Sequence, residues 1–296
     1  MFTTFTALLA TAVVANAASS SSTANPYIPT GISSSCTTYL NSLNADTQLT
    51  ACTSALMTAS SAFGPGGNAT SPTKSDITTA LTSICKTSTT STCSQSLIAG
   101  KLASFYTACG AELTSSPNAQ VKMVYDTFYS LLPLLSAVCS TDDTGNWCVM
   151  KAKASSSAKN LAPALKSVAR RAEPVTAYMP NATTINTNNI LFLFLDGSLP
   201  KADLCTTCTR NIITSYVSFE AGTQYAPGIA QSVLMSGQTA IYSGVVATCG
   251  ADFLAAVKAA GGLGSSGTSG SSGALAVRPA GGLLAVLLAG LVALVL

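Results

Sequence analysis

No histidine occurs in the 296-residue chain, tryptophan occurs once, and charged residues make up only 8%, against roughly 25% in an ordinary soluble domain. Without an imidazole, no Ser-His-Asp triad, Cys-His dyad, histidine-ligated zinc site or imidazole pH switch can be built. Lys and Arg (14) exceed Asp and Glu (11) by three, too weak a surplus for a phosphate-backbone groove, so no nucleic-acid partner is expected. No GxSxG, phosphate-binding loop or dinucleotide fingerprint is present. The chain is rich instead in apolar residues (48%), in serine and threonine (about a quarter) and in cysteine, with ten.

Two apolar segments read as addresses. Residues 1–17 fit a secretory signal peptide: Ala7 to Ala15 is too short to span a bilayer, and Ala15-Asn16-Ala17 has the A-x-A cleavage form. The first six residues carry no Lys or Arg, a departure from the usual pattern. Leu283 to Leu296 is fourteen residues without a polar side chain, shorter than the ~20 a spanning helix needs, and no basic cluster follows it. Gly/Ser-rich residues 261–273 and a spacer at 274–282 precede it, the pattern of a glycosylphosphatidylinositol (GPI) attachment signal with Ser271, or Ser272 or Gly270, as attachment residue. The expected organisation is a signal peptide (1–17), a Ser/Thr-rich segment (18–34), a cysteine-rich ectodomain (35–260) containing a basic linker (149–180), a stalk (261–273) and a removed propeptide (274–296).

Cys36, Cys52, Cys85, Cys93, Cys109, Cys139, Cys148, Cys205, Cys208 and Cys249 all lie in the ectodomain. An even number in an exported chain reads as five disulfides. Seven precede the linker and three follow it, so complete pairing requires at least one bridge across residues 149–204. Cys205-Thr206-Thr207-Cys208 has CxxC form, but no thioredoxin-like βαβ pattern and no second CxxC accompany it, which favours structural bridges. The spacings hint at an internal repeat: Cys36–Cys52 and Cys93–Cys109 each enclose fifteen residues and each ends in Thr-Ala-Cys. Sequons at Asn68 and Asn181 are expected to carry N-glycans. Arg170-Arg171 has the form of a dibasic processing site, with a solvated charge pair as the plain alternative.

The periodicity is helical, and the expected fold class is all-α, a disulfide-stitched helical ectodomain. Ile77, Ala80, Leu81, Ile84 and Cys85 form one stripe, with Ser75 as candidate cap. Leu97, Ile98, Leu102, Phe105, Tyr106, Cys109 and Leu113 form a second, and Val121 to Cys139 a third, with a kink expected at Pro133. Ile190 to Leu195 is the best strand-like run, though it can also open a helix. Leu204 to Phe219 and Ile229 to Cys249 fit two more helices, and Asp252 to Ala260 a last short one.

Remaining chemistry would have to use carboxylates, lysine or cysteine, and a glycosidase needs two carboxyl groups about 5–10 Å apart. Asp142 and Asp143 are adjacent in a polar loop and suit a turn. Asp126 sits at the edge of an amphipathic helix, Asp196 precedes a glycine in a turn, and Asp203 opens a helix as a cap or dipole partner. None forms a catalytic constellation, and no catalytic residue, metal ligand or cofactor is assigned. The chain reads as an anchored extracellular surface or wall protein with a structural, adhesive or interaction role. A carrier of a small apolar ligand, such as a lipid or sterol, is the alternative, and a carboxylate-based glycan hydrolase a third. Expected partners are the outer membrane leaflet, through the lipid anchor, and wall glycan or another surface protein.

The run Cys36–Cys148, with CTTYLNSL, TACTSAL and Asn146-Trp147-Cys148-Val149, followed by LCTTC at 204–208, resembles an uncharacterised cysteine-patterned domain of fungal secreted proteins, which often carry a signal peptide and a GPI tail. The resemblance implies a fungal cell-surface or wall location and transfers no catalytic residue.

Overall fold

The computed structural model describes residues 28–43, 45–60, 73–86, 92–151 and 182–260. Outside the described residues lie the signal segment 1–17, Asn68, Asn181, Arg170-Arg171, the stalk with Gly270, Ser271 and Ser272, and the tail 274–296. Among these residues ten α-helices run in the order α1 (Ser34–Leu43), α2 (Thr47–Ser60), α3 (Lys74–Ile84), α4 (Gln95–Gly110), α5 (Ala119–Val138), α6 (Ala182–Thr187), α7 (Lys201–Leu204), α8 (Thr207–Gly222), α9 (Gln238–Cys249) and α10 (Ala251–Ala260). No strand occurs among the described residues. An isolated antiparallel bridge pairs Thr141 with Trp147. No described helix is long and apolar enough to cross a membrane.

Short polar side chains set the helix starts. The Asp46 carboxylate accepts from the N–H groups of Gln48 and Leu49 ahead of α2. Ser94 caps α4, Asn118 caps α5 and Thr206 caps α8. The cap of α3 is Thr73, not Ser75. The Thr73 hydroxyl accepts from the Asp76 N–H while the Asp76 carboxylate accepts from the Thr73 N–H, a reciprocal box that satisfies two otherwise orphaned donors. Pro133 lies inside α5, which continues through it to Val138. α5 is buried on nearly every side, from Val121 through Tyr125, Phe128, Leu131 and Leu135 to Val138.

α5 is surrounded because both halves of the chain pack on it. α4 lies along one side and α8 along the other, with α10 behind α8, and α1 covers α4. A chain of edge-to-face rings threads the core: Tyr39 (α1), Phe105 (α4), Tyr125 (α5), Tyr225, Tyr129 (α5) and Phe219 (α8), with successive centroids 5.1 to 5.4 Å apart. Such pairs add about 0.5–1.5 kcal/mol each beyond the area they bury.

All ten cysteines are paired: Cys36–Cys109, Cys52–Cys93, Cys85–Cys139, Cys148–Cys208 and Cys205–Cys249. Cys148–Cys208 spans residues 149–204, and the two CxxC cysteines bond to different partners. The two equally spaced cysteine pairs exchange partners, the first of one with the last of the other, and Cys85 and Cys139, the C-caps of α3 and α5, bond to each other. The equal spacing does not make equal folds, because Cys36–Cys52 spans two helices and Cys93–Cys109 spans one.

Three expectations change. Ile190 to Leu195 forms no strand: Ile190–Phe192 is one 3-10 turn, and Asn189, Leu193 and Phe194 take positive φ of 49°, 50° and 64°. The helix expected from Ile229 begins only at Gln238. Ile229–Gln231 is a separate 3-10 turn, and Ile229 is exposed. The helix expected over Leu204 to Phe219 is broken at Cys205 and Thr206. Cys148–Lys151 forms a further 3-10 turn, with Cys148 and Val149 buried.

Candidate functional site

Asp126, expected at the edge of an amphipathic helix, is fully buried on α5. Its carboxylate accepts from the Tyr225 hydroxyl and from the N–H groups of Val233 (2.5 Å) and Leu234 (2.9 Å). Burial pushes its carboxyl pKa up, and those hydrogen bonds only partly counter the shift. Glu220 on α8 is raised for the same reason, against a hydrogen bond from the Gln238 side chain. Both carboxyls brace the loop between α8 and α9 and the start of α9.

The remaining carboxylates of interest gather elsewhere, at a half-open groove of about 680 Å³. One wall is the 140–151 loop. Asp142 Oδ1 accepts from the N–H groups of Thr144 and Asn146, both at 2.9 Å, and Gly145 turns the chain at φ 79°. The Asp142 carboxylate also pairs with Lys151. The Lys151 and Thr144 hydrogen bonds hold its carboxyl well below the usual range. The Asn211 side-chain amide donates to Thr141 O (2.9 Å), the Thr207 hydroxyl donates to Asp143 (2.5 Å), and Cys148–Cys208 ties the loop covalently to α8.

The opposite wall and floor come from Leu193, Phe194, Leu195 and Leu199, with Ile212 of α8 below and Asp203 of α7 at the rim. The floor loop has no ladder to hold it and relies on local turns and one side chain. Phe194 N–H donates to Asn189 O and Leu195 N–H to Phe192 O, both at 3.0 Å, and the buried Tyr216 hydroxyl donates to Leu191 O. Asp196 Oδ1 accepts from Ser198 N–H at 2.9 Å. Gly197 then lies directly on Gly244 of α9, where any side chain on Gly244 would overlap the Gly197 backbone.

Asp142, Asp143 and Asp203 therefore share one groove, and Asp126 and Asp196 do not line it. The two carboxyls that burial pushes upward, Asp126 and Glu220, lie outside it. Among the described residues no group of three His, Cys, Asp or Glu is placed to hold a metal ion. Sequence reasoning missed the apolar floor. Its signal was the run Ile190–Leu195 set between Asn188-Asn189 and Asp196-Gly197, an apolar stretch bounded by turn formers at both ends.

Residues 21–166 match the model of a domain of unknown function, DUF7729. The LCTTC segment at 204–208 lies outside that match. No curated protein matches the chain, and no solved structure does. Five disulfides suit an oxidising, extracellular environment.

Proposed function

We propose that the protein is a disulfide-locked surface module, exported by residues 1–17, N-glycosylated at Asn68 and Asn181, and held at the outer face of the plasma membrane or in the cell wall by a GPI anchor near Ser271. Its role is structural, adhesive or interactive rather than catalytic. The pairing of all ten cysteines is the observation that carries this reading, because five bridges at about 2–4 kcal/mol each persist only where thiols are not kept reduced. The resemblance to fungal secreted proteins and the small-residue, spacer and apolar-tail pattern of 261–296 support the location.

The test is treatment of intact cells with phosphatidylinositol-specific phospholipase C, followed by mass spectrometry of the released chain. Release of a glycosylated species lacking residues 274–296 and free of thiols is expected. An intracellular chain with free thiols, or one retaining residues 283–296, overturns the reading. The apolar-floored groove favours a second reading, in which the module binds a small ligand; concave, largely apolar sites of 300–1,000 Å³ are the usual form of such sites.

A further inference from the structure

We propose that Cys205-Thr206-Thr207-Cys208 is a thiol-operated switch: reduction by a dithiol moves both cysteines into one local disulfide and gives up the covalent bridge between the two halves of the chain. The proposal rests on the reading of the protein as an exported, fully oxidised module. Cys36–Cys109, Cys52–Cys93 and Cys85–Cys139 lie within residues 36–139, and Cys205–Cys249 lies in the second half, so Cys148–Cys208 alone crosses residues 149–204. Cys205 and Cys208 are three residues apart, and no other two cysteines are closer than eight. Cys148, Cys205 and Cys208 line the same half-open groove. Cys205, Cys208 and Cys249 are half-buried, whereas Cys36, Cys52, Cys93 and Cys109 are buried. Two bridges within reach of solvent therefore meet at one tetrapeptide.

The exchange runs through accessible sulfurs. A thiolate of the dithiol attacks Cys249 Sγ, and Cys205 departs as a thiolate. Cys205 Sγ then attacks Cys208 Sγ, which forms Cys205–Cys208 and expels Cys148. The second thiol of the reductant attacks its own sulfur on Cys249 and closes to a cyclic disulfide. Two protein disulfides become one, the dithiol is oxidised, and its two protons end on Cys148 and Cys249. Cys148, which is buried, only leaves and is never attacked.

Position favours this route. Cys205 immediately precedes Thr206, the cap of α8, and Cys208 lies in the first turn of that helix. A helix amino end stabilises a thiolate, and a stabilised thiolate leaves faster. Charges of both signs flank the turn: Arg210 donates to the Thr207 hydroxyl (3.3 Å), which donates to Asp143. They oppose one another and leave the helix end to decide. Cys85 and Cys139 are half-buried too, but they are the C-caps of α3 and α5, where the helix end is negative. After the exchange the 140–151 loop loses its covalent tie to α8, and α9 loses its tie to the end of α7, while the three bridges within 36–139 remain.

The experiment treats the full-length oxidised chain with equimolar dithiothreitol, quenches with acid, labels thiols with N-ethylmaleimide and maps tryptic peptides without further reductant. Cys205 and Cys208 share the tryptic peptide 202–210, so the exchanged form gives that peptide unlabelled, with an internal disulfide. Cys148 and Cys249 are expected to take the label, the six cysteines of residues 36–139 to stay unlabelled, and Cys148–Cys208 to open about tenfold faster than Cys85–Cys139. Oxidised glutathione should restore Cys148–Cys208. The double substitution Cys205→Ser and Cys249→Ser removes the attacking thiol and should slow the opening of Cys148–Cys208 about tenfold.

The proposal is overturned if Cys85–Cys139 opens as fast, if peptide 202–210 carries two labels, if reoxidation does not restore the bridge, or if the double variant opens at the unmodified rate. Should that variant fail to fold by circular dichroism, the peptide map of the unmodified protein decides alone. Free thiols in the protein released from cells, before any reductant is added, would instead overturn the exported, oxidised reading, so the two failures are separate.

Discussion

Asp126 offers the sharpest test of how this core is held. Replacing it with alanine removes the acceptor that serves three donors: the Tyr225 hydroxyl and the N–H groups of Val233 and Leu234. Leu234 and Tyr225 are buried and Val233 is part-buried, so water can recover one of the three more easily than the others. At about 1–3 kcal/mol for each stranded donor, less the relief of no longer burying a carboxylate, the expected loss is about 3–5 kcal/mol. That is a large share of the 5–15 kcal/mol typical of a domain. Asp126→Asn keeps the shape. Its Oδ1 can accept from the two amides while its Nδ2 donates to Tyr225, whose hydroxyl then accepts, so a loss near 1 kcal/mol is expected.

Urea unfolding of the oxidised protein, followed by Trp147 fluorescence, reads both values. Because burial raises the Asp126 pKa in the folded state, its contribution is fully present below the unfolded value near 3.9 and is lost as pH rises through the folded value. The unmodified protein should therefore lose stability toward neutral and alkaline pH by a component that Asp126→Asn lacks. Equal losses for alanine and asparagine, or an unchanged pH profile in the asparagine variant, would refute this account.

Gly244→Ala should cost about 1–3 kcal/mol, since the added methyl must displace the Gly197 backbone; thermal melting checks it, and groove binding should weaken with it. Raised Asp126 and Glu220 favour acid, whereas Glu112 and Asp142 have lowered values and lose their contribution as pH falls through the folded values. For Glu112, the hydrogen bonds from Ser33 outweigh burial; for Asp142, the Lys151 hydrogen bond leads. Stability should consequently peak on the acid side of neutral, as a pH series of urea midpoints would show. A protease site inserted between residues 151 and 182 should give fragments that migrate together without reductant and apart with it, because Cys148–Cys208 joins them; separation without reductant would contradict the bridge. A fragment ending at residue 166 should fail to show cooperative unfolding.

Where a helix buries one stripe, the sequence was legible. The pattern of Ile77, Ala80, Leu81 and Ile84 returns as α3 with Ala80, Leu81 and Ile84 buried, and Ile98, Leu102, Phe105 and Cys109 return as the buried face of α4. The Thr73-x-x-Asp76 box was also readable and passed over. Tertiary partners decided the rest. Ile229, Val233 and Leu234 keep helical spacing, yet the N–H groups of Val233 and Leu234 are engaged by Asp126, a partner 107 and 108 residues away. A buried carboxylate outbids a local ladder there, and no periodicity reports it. Ile190 to Leu195 was apolar enough for a strand, but no neighbouring strand exists among the described residues to accept its hydrogen bonds. It curls through left-handed Leu193 and Phe194, whose N–H groups donate to Ile190 O and Asn189 O, while the Tyr216 hydroxyl donates to Leu191 O. The cysteine pairs were bounded by parity alone, since spacing does not say which helices lie side by side.

The similarity to DUF7729 stops at residue 166, but the core does not. Tyr129 of α5 donates its hydroxyl to Thr223 O at 2.6 Å, and the Gln95 side chain donates to Phe219 O and Thr223 Oγ1. Asp126 holds the 233–234 backbone. The matched segment on its own would expose the face of α5 that α8 covers and would strand these polar groups. The boundary of sequence similarity is thus not a boundary of folding. The same division runs through the groove, where Asp142, Asp143, Cys148 and Lys151 come from the matched segment and Leu193–Leu195, Leu199, Asp203 and Ile212 from beyond it. A protein sharing only the 21–166 pattern would carry the acidic wall without the apolar floor. A ligand selected by both should therefore track the second half of the chain, and binding, unlike the disulfide framework of the first half, should not transfer with the family match.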